Sequence, residues 1–347
     1  MFSARYFAIV ILFAVLCVAS SCNKRHHNVT RGFYYWKTIY RPSVYELNIL
    51  HQLQVQKMYI RFFDVDWEEH NHQPIPIAPV QLPPTINDSF SIVPVVFITQ
   101  KTIANLKEQA VAPLAKSISG LVEALCKGSG IHPTEIQIDC DWTAGTKDIY
   151  FMLLTELKKQ SFFNGKTESC TIRLHQVKYT TSSGIPPADK GLLMCYSMDD
   201  IKKPGARNSI LDAGEAKNYL KKAGLYPIPL DIALPVFQWC VLFRNQKYEG
   251  ILHDVSPDMI SNSSLFTHKE GNEYSCRSDI VLQGYSLTAN DIIRVESASY
   301  DALMGIAGFI AQKIMQPNVN ILLFSCDSIT LSKYSTHELE AVYNAYR

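Results

Sequence analysis

The 347-residue sequence predicts an α/β protein folded as a closed (β/α)8 TIM barrel. Three observations carry that expectation. Apolar, β-rich runs alternate with segments of helical period almost to the end, as in a parallel sheet with crossover helices. Eight such runs are present, which favours ring closure over an open sheet. The chain, 47% hydrophobic, is long for an ordinary domain but of normal length for one barrel.

The expected strands are 33–40, 57–64, 91–99, 135–141, 170–177, 191–197, 231–242 and 320–326. Between them, Leu114, Ile118, Leu121, Val122 and Leu125 mark one face of a helix that stops at Gly128-Ser129-Gly130. Pro113 is expected to divide it from a shorter helix before it. Further helices are expected over 147–160 and 300–315, and a last one from Ser335, which has capping-box spacing to Glu338. Two stretches break the alternation. Segment 67–88 holds Pro74, Pro76, Pro79, Pro83 and Pro84, so an irregular, extended connection is expected after strand two. Segment 244–297 is too long for a loop and reads as a small β excursion after strand seven, with strand-like runs at 279–287 and 291–296. Both leave the carboxyl ends of strands, where barrel enzymes build their sites.

The chain opens with Met1–Arg5, an apolar run over 6–18 and Ala19-Ser20-Ser21-Cys22. A basic start, a short apolar core and small residues before a cleavage point make a secretory signal, too short to span a bilayer. The small residues before Cys22 resemble the lipobox of bacterial lipoproteins, in which the Cys becomes the lipidated first residue; the alternative is an ordinary cut near Ser21. The expected organisation is signal peptide 1–21, tether 22–32 and one barrel domain 33–347 with insertion 244–297, held in the bacterial cell envelope. Loss of Arg5 takes the formal charge from +1 to 0, which argues for no nucleic-acid partner. Seven cysteines lie beyond Cys22 with no zinc-type spacing, so they read as core thiols, with no metal and no cofactor implied.

The sharpest chemical feature is 135–142. Alternation along a strand places Gln137, Asp139 and Asp141 on one face, pointing into the barrel, and Ile136, Ile138 and Cys140 on the other. Stacked carboxylates repel, and burial raises their pKa, which suits a general acid or its support. A structural ion network with Arg61 and Arg173 explains the same pattern. Arg173 and His175 share a strand face and read either as an anion site or as partners of the aspartates. Trp36, Trp67, Trp142 and Trp239 lie near strand ends, where flat rings stack on sugars or pack the barrel.

Asp139-Cys140-Asp141-Trp142-Thr143 resembles the fourth-strand signature Asp-x-x-Asp-x-Asp-x-Glu of family 18 glycoside hydrolases, the chitinases and endo-β-N-acetylglucosaminidases. Met194-Cys195-Tyr196 resembles that family's sixth-strand Met-x-Tyr-Asp, and Ala233-Leu234-Pro235 its seventh strand. More broadly, most of 33–347, including Asp291 to Glu296, is similar to bacterial lipoproteins described as glycosidase-like barrels. The resemblance implies supporting roles for Asp139 and Asp141. The sequence departs from it at Ile136, Thr143 and Ser197, and Thr143, in place of the acid Glu, cannot donate a proton to a glycosidic oxygen. Asp64, Asp66, Glu68, Asp199 and Asp327 are the candidate strand-end partners of Asp141 in a two-acid glycosidase, and each alone reads more simply as a solvated loop acid or a helix cap. The expected function is an envelope lipoprotein whose barrel acts on or binds a glycan or polysaccharide. The alternative is a catalytically inactive pseudo-glycosidase that binds a glycan or a partner protein as a scaffold. The expected catalytic residues are Asp139 and Asp141. Contacts to substrate are expected from Trp36, Arg61, Asp66, Trp67, Trp142, Arg173, His175, Tyr196, Trp239 and Asp327.

Overall fold

The computed structural model describes residues 27–86, 89–197 and 200–346. Eight parallel strands form the barrel: β1 (Asn28–Tyr35), β2 (Lys57–Glu68), β4 (Ser91–Ile98), β5 (Glu135–Cys140), β6 (Thr167–Arg173), β7 (Lys190–Met194), β8 (Leu230–Pro235) and β16 (Asn318–Phe324). The ring closes because β1 pairs with β2 on one side and β16 on the other, both parallel. Outward-facing Ile136, Ile138, Cys170 and Ile172 pack under the helices, in one continuous core with Leu153, Leu154 and Leu157. All seven cysteines of the described residues are buried and unbridged, as core thiols should be.

Several boundaries differ from those expected. β1 begins at Asn28, so residues 28–32 are barrel strand and not tether. Their polarity misleads because the outer face of β1 is covered. Arg31 is buried under the last helix (Thr336–Asn344), donating to the Leu53 carbonyl at 2.7 Å and to Asn344 Oδ1 at 3.1 Å. β6 stops at Arg173 and the chain turns at once into the short helix Leu174–Lys178. Pro113 does not divide a helix: it lies within Glu108–Gly128, and the break falls before it, at the extended backbone of Leu106. Pro113 is exposed, so the Gln109 carbonyl it leaves unbonded faces water.

The Pro-rich connection is extended, as expected. β2 runs on past the barrel and folds back as the antiparallel edge strand β3 (Gln73–Ile77), whose Pro74 and Pro76 occupy positions an edge tolerates. The expected strand 231–242 divides at Val236–Phe237. Its second half is β9 (Gln238–Arg244), which leaves the ring and starts a five-stranded sheet with β10 (Lys247–Leu252), β11 (Phe266–His268), β12 (Glu273–Cys276) and β15 (Ile292–Ser297). The excursion therefore begins at Gln238, with its own small core around Leu242, Phe266 and Ile293. Segment 279–287 is a hairpin, β13 (Ile280–Leu282) and β14 (Tyr285–Leu287), not one strand. Gln283 and Gly284 at its tip both take positive φ, the conformation of a tight two-residue turn.

Inside the barrel the lowest polar layer is an ion network. Glu135 accepts from Lys57 Nζ (2.8 Å), Lys190 Nζ (3.0 Å), Tyr59 Oη (3.0 Å) and Ser169 Oγ (2.8 Å), and Lys190 also reaches Asp231 at 2.6 Å. A buried charge needs such partners. The two lysines outweigh burial and hold the Glu135 carboxyl below its ordinary pKa. This end of the barrel is plugged, and any ligand chemistry belongs to the other.

Candidate functional site

The inward column of β5 climbs from that plug to the mouth. Gln137 accepts from the Tyr34 hydroxyl. Asp139, one layer up, is buried and accepts from Thr171 Oγ1 at 2.6 Å. Asp141, just past the strand, is held by Arg173 through both carboxylate oxygens: Nε bonds Oδ1, and Nη2 lies 2.6 Å from Oδ2. Such a side-on fork fixes the carboxylate plane as well as its charge. Burial pushes Asp139 up to about 7, with the neighbouring Asp141 charge adding to it. Burial opposes the Arg173 charge, but the bond to Asp141 outweighs it and raises the guanidinium further. Tyr196 stands at the end of β7 with its hydroxyl buried and without a hydrogen-bond partner among the described residues.

Asp141, Arg173 and Tyr196 form the floor of a cavity of about 720 Å3, walled by Gln100, Thr143, His175, Ile201, Lys202 and Tyr219, with Asp139 buried one layer beneath. The structure thus brings Asp139, Asp141, Arg173, His175 and Tyr196 together. His175 arrives from the helical turn after β6 rather than from the strand face. Its pKa is lowered, by burial first and then by Arg173. Thr143 is taken up locally: its N–H donates to Thr146 Oγ1 at 2.9 Å where the next helix starts.

A second cavity, of about 320 Å3, lies across the mouth between the barrel and the excursion. Trp36, Trp239 and Asp327 line it, with Phe237 and His253. Packed rings separate the two cavities: Tyr196–Phe324 centroids are 5.4 Å apart, Phe324–Phe237 5.5 Å, Phe324–Trp36 5.8 Å and Phe237–Trp239 5.0 Å. Trp239 thus serves the mouth from β9, not from a barrel strand. Asp327 caps the turn Ser328–Leu331 and meets Lys37 at 3.3 Å.

Three expected contacts fall elsewhere, and a fourth, Trp142, borders the larger cavity but is 1% exposed, stacked on Tyr150 at 5.1 Å, with its indole N–H donated to the Ser183 carbonyl. Residue 142 lies on the outward side of the alternation, so its ring belongs to the helix layer. Trp67 shares the outward side of β2 with Phe63 and Val65, because the strand continues four residues beyond its expected end. Arg61 pairs with Asp64 (2.6 Å) and the Ala78 carbonyl, not with Asp139 or Asp141. Asp66 accepts from Thr99 Oγ1 at 2.8 Å, at the N-terminus of the helix Gln100–Asn105. Asp199, Cys22 and the signal lie outside the described residues.

One determinant escaped the sequence reading. Segment 201–209, a wall of the larger cavity, is clamped to the excursion by a fully buried ion pair, Arg294 Nε to Glu296 Oε1 at 2.5 Å. Arg294 also donates to the carbonyls of Ile201, Lys203 and Gly205. Glu296 Oε2 accepts from Ser209 N (2.7 Å), Ser209 Oγ (2.5 Å) and Trp239 Nε1 (3.2 Å). The signal was present: Arg-Val-Glu puts two opposite charges on one face of an otherwise apolar strand.

No family model matches the sequence, and no curated protein matches it. Solved structures do match in fold, the (β/α)8 barrel, and chitinases and a spore cortex-lytic enzyme are among them. The spore cortex-lytic enzyme SleL of Bacillus megaterium superposes with TM-score 0.54 at 10% identity, over 94% of this chain and 75% of its own. A chitinase from Chromobacterium violaceum gives 0.54 at 10% identity, over 91% and 98%. A group IV chitinase of Ostrinia furnacalis, solved with allosamidin, gives 0.51 at 11% identity, over 91% and 97%. At these identities the likeness is one of fold.

Proposed function

We propose that this chain is a bacterial envelope lipoprotein, anchored through Cys22, whose barrel mouth binds a glycan without hydrolysing it by the chitinase route. One observation carries the second half of that reading: Arg173 holds both oxygens of Asp141, beside a Thr143 already engaged by Thr146. In substrate-assisted cleavage the carboxylate at position 141 must be free to meet the substrate, and an acid must stand at position 143. Here the first is clamped and the second is a hydroxyl.

Binding is supported by the mouth itself. Trp36 and Trp239 are only half-buried and edge the smaller cavity, and flat rings with polar tips suit sugar faces. Tyr196 lines the larger cavity, and its hydroxyl is buried there without a hydrogen-bond partner among the described residues. An unpaired buried hydroxyl is costly, and a bound sugar hydroxyl would relieve it.

A second reading, hydrolysis with other acids, is favoured by Asp139, whose raised pKa keeps a proton available beside Asp141 near neutrality. The mature polypeptide and its Asp141→Asn variant, incubated with a broad glycan panel, separate the two. Binding without product in the wild type supports the proposal. Cleavage lost in the variant would replace it with a hydrolase centred on Asp141. Neither binding nor cleavage would leave a protein partner.

A further inference from the structure

The chain enters the barrel at the end opposite the cleft. His27, the first described residue, is fixed there by contacts of its ring to the Gln316 carbonyl (2.8 Å) and the Ala311 carbonyl (3.3 Å). Its backbone N–H bonds the Tyr346 carbonyl at 3.3 Å. Whatever holds residues before His27 therefore holds this rim close by.

The rim is charged in a way the neutral total hides. Segments 159–166, 221–229 and 312–317, which lead into β6, β8 and β16, carry Lys159, Lys166, Lys221, Lys222 and Lys313 and no aspartate or glutamate. Segments 53–56 and 129–134, which lead into β2 and β5, carry no acid either. Two of the charges on this end are answered locally, Lys159 by Glu156 and Lys158 by Asp189. Lys166 and Lys313 lie over the Phe162 and Phe309 rings, with no carboxylate within ion-pair distance among the described residues.

Two large apolar side chains project from the same place. Leu225 is 80% exposed and Met315 61%. They are neighbours because the turn Ala223–Leu225 lies against 313–315. A Cβ on Gly224 would sit 2.1 Å from the Lys313 carbonyl oxygen, so only glycine permits the approach. The next strand, β8, is tied to the same segment by the Gln316 amide on the Leu230 carbonyl.

We propose that this rim docks on an anionic lipid bilayer, with Leu225 and Met315 entering the headgroup layer and Lys166, Lys221, Lys222 and Lys313 facing lipid phosphates. Exposed apolar tips ringed by lysines, at the point where the chain leaves toward a lipid-bearing Cys22, suit a membrane surface. The cleft then opens away from the bilayer. The inference rests on the anchored reading of Cys22 and adds an orientation to it.

The barrel and its core lie wholly between His27 and Tyr346, so residues 22–347 with Cys22→Ser contain the fold without the lipid; its circular dichroism melt checks this. Flotation with vesicles of phosphatidylcholine, alone or with about 30% phosphatidylglycerol, reads the rim, since each lysine near an anionic surface is worth about fivefold in partition. Binding to the anionic vesicles is expected, weakening in about 0.5 M salt as screening predicts. It should fall at least tenfold in the triple variant Lys221→Ala, Lys222→Ala, Lys313→Ala, and severalfold in Leu225→Ser. Equal binding to both vesicle types, no binding to either, or a triple variant that binds like the wild type overturns the proposal. Incorporation of labelled palmitate into the full chain, and its loss in Cys22→Ser, reads the anchor separately. A lipidated chain with an inert rim keeps the anchor and sinks the docking surface; an unlipidated chain with a binding rim does the reverse.

Discussion

Arg173 grips both carboxylate oxygens of Asp141, while Asp139, one layer deeper on the same strand, is left with a threonine hydroxyl. Two residues of one alternating column thus differ: an ion-paired carboxylate at the mouth and, below it, an acid whose pKa burial raises to about 7. The fork of β6 over β5 decides which is which.

Removing that fork should cost stability. The pair is partly open to solvent, 23% and 28% exposed, so Arg173→Met is expected to lower unfolding free energy by about 1–3 kcal/mol, between surface and buried pairs. Arg173→Lys should recover only part, because an ammonium cannot bond both oxygens in one plane. Urea titrations of the three proteins check it; full recovery by Lys would mean that charge alone matters.

The tryptophans should divide by role. Trp142→Ala empties a packed site between β5 and the helix Lys147–Lys158 and is expected to cost about 3–5 kcal/mol. Trp36→Ala, at the cavity edge, should cost far less stability but weaken glycan binding about tenfold. Thermal melts beside a binding isotherm separate them, and a Trp36 variant that binds normally would remove the ring from the site.

Glu168 makes stability fall with rising pH. Its carboxyl is buried without a hydrogen-bond partner among the described residues, and burial pushes its pKa up to about 8 from 4.5, partly offset by Lys158. Between those values the unfolded chain releases the proton and the folded chain keeps it, so the folded state binds more protons and loses stability as pH rises. The slope from one such group is at most about 1.4 kcal/mol per pH unit. Asp139 acts with the same sign up to about pH 7. Glu168→Gln should therefore gain on the wild type by about 1–3 kcal/mol between pH 5 and 8.5. A difference between the two that does not change with pH would show that Glu168 ionises normally.

The clamp on the cavity wall should fail when one partner is lost. Arg294→Met leaves Glu296 buried without its counter-ion, at a cost of about 3–5 kcal/mol, and frees the carbonyls of segment 201–209. Limited proteolysis should then cut within 201–209, where the wild type resists. Replacing both residues, Arg294→Met with Glu296→Leu, should restore much of the stability but not the protection, because no donor remains for those carbonyls.

The barrel was legible because its strands and helices obey local periods. Eight apolar runs, the helix face from Leu114 to Leu125 and the Pro-rich edge can each be read without knowing a neighbour. Boundaries were legible only where local chemistry set them. Asn28–Gly32 reads as a polar tether until the last helix covers Arg31, and 231–242 reads as one strand until the chain changes sheets at Val236.

The sequence by itself determined that Gln137, Asp139 and Asp141 share one face and that Thr143 stands at the position of an acid, since alternation and identity are local properties. Only the tertiary structure decided that Arg173 and not Arg61 takes Asp141, that the Trp142 indole finds the Ser183 carbonyl, and that Arg294 and Glu296 close the wall. The neutral total likewise gave no hint of the basic rim, because helix ends distant in sequence are gathered at one end of the barrel by its topology. Pairing and burial are relations between residues far apart along the chain, and a one-dimensional pattern carries no distance between them.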